Sequence, residues 1–154
     1  MKYVRPLAVA TAVAVWITVL VGIVVTGSGP HAGDGGAARN GLDPAIMQHV
    51  HAWPGYVLLA LVLAVVVAAA ANGPRAHLGW SLALLGIILV QILIGIVQSN
   101  TGLPVLLVGI HMVTAVIATA IGAAVVLSLR PPARADASGG AERAAHADSA
   151  ATRA

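Results

Sequence analysis

Two of the six histidines in this sequence stand at matching places, and histidine is the side chain here best suited to hold a metal. His51 follows Ala45, near the start of a long apolar run, at the same interval as His111 follows Val105. At about 1.5 Å per residue, both imidazoles lie roughly 9 Å below the start of their helices. Two imidazoles at one depth, on helices running in the same direction, can face each other across a bundle. Neighbouring helices pack about 8–10 Å apart, so diagonal ones in a four-helix square are about 12–14 Å apart. That leaves room for a planar group between the two side chains. A haem iron with two axial imidazoles suits the arrangement. Zinc suits it less: it takes three or four ligands, and the chain has no Cys and no carboxylate inside an apolar run.

The competing reading of each polar residue is structural. A histidine within a span can hydrogen-bond a neighbouring helix, although polar groups in lipid are costly and usually functional. His49 and His51 point about 200° apart on a regular helix, so only one of them looks into a bundle, and spacing does not choose between them. Pro54 favours a first helical turn; a helix beginning near Trp53 leaves His51 in the entry segment instead. Gln91 and Gln98 stand two turns apart on one helix face, placed either to bond a neighbouring helix or to touch a cofactor's propionates or a substrate. His31, His77 and His146 read as solvated residues of a loop, a turn and a tail. Trp16, Trp53 and Trp80 read as packing or interface residues, Trp53 and Trp80 lying near membrane boundaries. The ladders Ala60/Ala64/Ala68 and Ala118/Gly122 read as close-packing faces.

The elements that must position these residues are membrane helices. Only 8% of the 154 residues are charged and 59% are hydrophobic, against about 25% charged in a soluble domain. Too few charges remain to coat a water-soluble surface. A spanning helix needs about 20 apolar residues, and four stretches supply them: 7–26, 45–71, 78–97 and 105–129. The first is too long for the apolar core of a cleaved signal and reads as an anchor. Asn72-Gly73-Pro74 is a turn between the second and third spans, and Pro131-Pro132 stops the fourth. The expected fold is all-α, an integral membrane four-helix bundle of two helical hairpins over residues 1–132, with 133–154 a disordered tail. Lys2, Arg5, Arg75, Arg130 and Arg134 fall on one side, so the positive-inside rule places both termini in the cytoplasm. With single basic residues and a net charge of +3, the chain is not built to bind nucleic acid. A weak internal repeat, Gly22-Ile23-Val24 and Gly95-Ile96-Val97, closes the first helix of each hairpin.

The run Val25-Thr26-Gly27-Ser28-Gly29-Pro30-His31-Ala32-Gly33-Asp34 resembles the outer-loop signature of the second half of bacterial haem A synthases, actinobacterial ones especially. The resemblance continues through Val50-His51-Ala52, Gln91, Gly95, Gln98 and Thr101-Gly102-Leu103-Pro104, and ends at Leu107-Val108-Gly109-Ile110-His111-Met112, covering roughly residues 6–130. Members of that family have two four-helix halves and oxidise a methyl group of haem O to the formyl group of haem A for terminal oxidases. The resemblance implies that His51 and His111 are the axial pair of a b-type haem, with Gln91 and Gln98 beside it and haem O as the family's substrate. It also implies a bacterial plasma-membrane location and a homodimer or a separate first half as partner, with haem O synthase or a terminal oxidase as further contacts. The family's first half carries a glutamate near its first histidine; here Gln48 and His49 precede Val50-His51, and no residue is assigned a catalytic role. Two other classes compete: a small b-type cytochrome passing electrons from quinol, and a haem-free oxidase assembly subunit whose histidines only pack.

Overall fold

The computed structural model describes residues 3–29, 36 and 38–130. The tail 133–154, His31 and His146 lie outside the described residues. Four helices follow in order: α1 (Val4–Ser28), α2 (Pro44–Asn72), α3 (Arg75–Asn100) and α4 (Val105–Leu127). All four are long and apolar enough to cross a membrane. The shortest, 23 residues, extends about 35 Å, beyond the hydrocarbon core of about 30 Å. Backbone polar groups in lipid must be satisfied internally, which is why such stretches become helices.

The helices form an up-and-down square. α1 packs on α2 and α4, and α3 packs on the same two, while the diagonal pairs α1/α3 and α2/α4 make no backbone-level contact among the described residues. One end carries the α1–α2 and α3–α4 loops (the loop end), and the other the tight α2–α3 turn (the turn end).

Local chemistry sets the helix ends. Asp43 caps α2, its carboxylate accepting from the N–H groups of Ala45 and Ile46 at 2.8 and 3.0 Å, and Pro44 takes the first helical position, where its missing N–H costs nothing. The helix therefore begins well before Pro54, which lies inside it; His51 is a span residue and not part of an entry segment. Asn40 ties the preceding loop to α1. Its Nδ2 donates to the Val24 carbonyl and its backbone N–H to that of Gly27, both at 3.0 Å. Gly73 ends α2 where an added Cβ would lie 2.8 Å from the Ala69 carbonyl oxygen. In the α3–α4 loop, Gly102 and Leu103 both adopt left-handed backbone, φ 76° and 58°, and the Leu103 N–H returns to the Gln98 carbonyl at 2.9 Å.

Packing is unequal along the bundle. Ala8, Thr11 and Val15 of α1, Leu58, Val62, Val65 and Ala69 of α2, His77, Ser81, Leu84 and Ile88 of α3, and Ala118, Gly122 and Val125 of α4 are buried. All of them lie from the middle of the bundle to its turn end. Apart from Ser28, the loop-end half of the helices has no fully buried side chain. The two hairpins repeat each other closely. One register shift carries Ala8, Thr11, Val15 and Gly22 onto Ser81, Leu84, Ile88 and Gly95; a second carries His51, Leu58, Val62 and Val65 onto His111, Ala118, Gly122 and Val125.

Of the two small-residue ladders, one packs as expected. Ala118 and Gly122 are buried, and a Cβ on Gly122 would meet Val15 and the Ala12 backbone at 3.6 and 3.9 Å. The other does not: Ala60 and Ala64 are exposed and Ala68 is half-buried, because the interior face of α2 is the seam of Leu58, Val62, Val65 and Ala69. Trp16, Trp53 and Trp80 are all exposed on the outer surface, with the Trp53 ring edge-on to that of Tyr56.

Candidate functional site

The seam of α3 that buries His77, Ser81, Leu84 and Ile88 continues at helical spacing through Gln91, Gly95 and Gln98. The seam of α2 runs back from Leu58 to His51, and that of α4 from Ala118 through Thr114 to His111. The interior of the loop-end half thus gathers His51, Gln91, Gln98, His111 and Thr114 among half-buried aliphatic side chains, whereas the turn-end half is closed by aliphatic side chains together with buried Thr11, His77 and Ser81. Polar groups inside a membrane bundle are costly to bury, and an ionisable one there is a candidate for function.

His51 and His111 reach across the diagonal of the square. Their ring centres are 6.4 Å apart and their planes 76° apart. Two metal–imidazole bonds of about 2 Å each, with a ring radius at either end, bring ring centres to about 6 Å. Both Nδ1 atoms are buried without a partner. His49 turns outward, its Nδ1 bonding the Ala45 carbonyl of its own helix at 2.8 Å, which resolves the choice between the two neighbouring histidines.

Each of these rings lies over a glycine of the preceding helix. A Cβ on Gly22 would sit 3.0 Å from His51 Cε1, and one on Gly95 would sit 3.8 Å from His111 Cε1. The Gly-Ile-Val repeat thus marks the points where α1 and α3 pass their histidines.

The two glutamines divide. Gln91 is engaged with α4, its Nε2 donating to the His111 carbonyl at 3.1 Å and its Oε1 accepting from the Thr114 hydroxyl at 3.2 Å. Gln98 lies two turns closer to the loop end on the same face, and its Oε1 is buried with no partner. Thr114 had no signal in the sequence beyond its spacing from His111.

His77 is not solvated. It is fully buried at the turn end, with Nδ1 3.2 Å from the Val125 carbonyl and 2.9 Å from the Ser128 hydroxyl. A carbonyl only accepts, so Nδ1 carries the proton, and the Ser128 hydroxyl accepts from it while donating to Val125 at 2.7 Å. Its place four residues before Ser81, on the seam that leads to Gln91, is the pattern by which the sequence could have revealed it.

No group of three or more His, Cys, Asp or Glu side chains comes together among the described residues, so His51 and His111 stand as a pair without a third such side chain beside them. Such a pair fits a metal whose remaining positions are filled by a macrocycle, as in haem, and does not fit zinc. Fold and site together define a four-helix membrane bundle with a facing histidine pair in its core. No family model matches the sequence, and no curated protein or solved structure matches the chain.

Proposed function

We propose that this chain is a haem-binding membrane protein of the haem A synthase type, holding a b-type haem between His51 and His111. One observation carries the reading: the two imidazoles face each other from diagonal helices at 6.4 Å, in the half of the bundle that also holds Gln91, Gln98 and Thr114 and has no fully buried aliphatic side chain. A bound haem supplies one-electron redox chemistry. The chain's own contribution would be to offer the His51 and His111 imidazoles as ligands, close the site off from the turn end by packing, and place the unpartnered Gln98 side chain on its loop-end side. The distribution of basic residues supports cytoplasmic termini and a site toward the outer face of a bacterial plasma membrane. The protein acts beside a second four-helix half or a second copy of itself in converting haem O to haem A for terminal oxidases.

A second reading, a b-type cytochrome carrying electrons from quinol, is favoured by one feature. None of the four apolar runs contains Asp, Glu, Lys or Arg, so no carboxylate stands inside the spans for general acid–base chemistry.

Purified protein is expected to show a Soret band that changes in His51→Ala and His111→Ala. A haemless wild type, or a band unaltered in both variants, overturns the assignment. Expression in membranes that make haem O then separates the two readings: haem A in the extracted pigment indicates synthase activity, whereas protohaem alone with rapid reduction by quinol indicates a cytochrome.

A further inference from the structure

The two histidines occupy equivalent places in the repeated hairpins, yet their surroundings differ. Metal-binding imidazoles are ordinarily oriented by a hydrogen bond from the nitrogen that does not bind the metal. Neither His51 nor His111 has one, since both Nδ1 atoms are buried without a partner. Ring orientation at this site therefore falls to packing, and packing is where the hairpins diverge.

Gly22 passes the His51 ring so closely that an added Cβ would lie 3.0, 3.5 and 3.7 Å from Cε1, Nδ1 and Nε2. A whole edge of the imidazole rests on the α1 backbone. Gly95 approaches His111 only at Cε1, at the ordinary contact distance of 3.8 Å. The hydrogen bond from Gln91 holds the backbone of α4 at His111 and does not reach the ring, whose Nδ1 has no partner.

We propose that the pair is inequivalent: His51 is the anchoring ligand, its ring set by Gly22, and His111 is the exchangeable one, whose coordination position opens to a small neutral ligand such as carbon monoxide. Gly22 is a positioning residue and has no part in the chemistry. The proposal rests on the haem reading above and adds to it an order of strength between the two ligands.

The test uses the full chain, purified in detergent from haem-replete membranes, with ferric electron paramagnetic resonance and carbon monoxide binding after dithionite reduction as readouts. His111→Ala is expected to keep its haem, turn high-spin, bind carbon monoxide fully, and return to low-spin with added imidazole. His51→Ala is expected to lose most of its haem. Gly22→Ala is expected to alter the low-spin signal more than Gly95→Ala does, while Gly95→Ala lowers the fraction that binds carbon monoxide by crowding the path of His111. If Gly22→Ala does not fold, judged by elution profile and helical circular dichroism, the two histidine variants decide. Equal haem retention in both, or a reversed order, overturns the inequivalence and leaves the haem assignment standing. A haemless wild type overturns both.

Discussion

His51 and His111 stand on helices whose backbones make no contact among the described residues, yet their rings meet at the centre of the bundle, 6.4 Å apart and turned by 76°. α1 and α3 make this possible by passing the rings with glycines, Gly22 and Gly95. The turn between the planes has a spectroscopic consequence. Two imidazoles crossing near a right angle leave the iron orbitals that they address almost equal in energy. The ferric, haem-loaded protein is therefore expected to give a strongly anisotropic low-spin resonance with one large g value. A rhombic spectrum, as parallel rings produce, would contradict this geometry.

Gln91 joins α3 to α4 through His111 and Thr114. Hydrogen bonds between membrane helices contribute roughly 0.6–2 kcal/mol. Gln91→Leu is expected to destabilise the bundle by about that amount. Thr114→Val is expected to cost less, because the Gln91 to His111 bond stays in place and the single hydroxyl proton of Thr114 is already shared with the Ile110 carbonyl of its own helix. Unfolding titrations in mixed micelles of denaturing detergent measure both.

Asp43 holds the start of the helix that carries His51. Asp43→Ala removes the acceptor for two N–H groups and is expected to cost about 1 kcal/mol. Asp43→Asn keeps the cap and most of the stability. Hydrogen exchange at Ala45 and Ile46 reports the difference directly; equal protection in the two variants would count against the cap.

His77 offers a control at the opposite end of the bundle. His77→Leu removes the bond from Nδ1 to Val125 and is expected to lower stability by about 1 kcal/mol. It leaves the loop-end half untouched. The absorption spectrum of the haem-loaded protein should therefore stay at its wild-type position while the unfolding midpoint falls. A displaced Soret band would show that the two ends are coupled.

Gly122 tests the α1–α4 crossing. A methyl group there falls at 3.6 Å from Val15, an ordinary contact, so Gly122→Ala should be tolerated. Gly122→Leu overpacks the same gap and is expected to cost about 1–3 kcal/mol. Thermal aggregation measured in detergent would rank the two variants, and equal loss in both would contradict the packing described.

Residue order alone determined the four spans, their up-and-down path and the equal depth of His51 and His111, because helix length and hydropathy in lipid depend on composition along the chain. It also placed Gln91 and Gln98 on one face. What faces inward was another matter. On an amphipathic helix, polarity itself marks the buried side. A helix apolar all round carries no such mark, and close packing decides its orientation. Only the tertiary structure could therefore turn His51 inward and His49 outward, bury His77, leave Ala60 and Ala64 on the surface, and carry α2 unbroken through Pro54. Likewise, the Gly-Ile-Val repeat was visible as letters, but its meaning depended on two helices passing close enough for an imidazole to rest on a backbone.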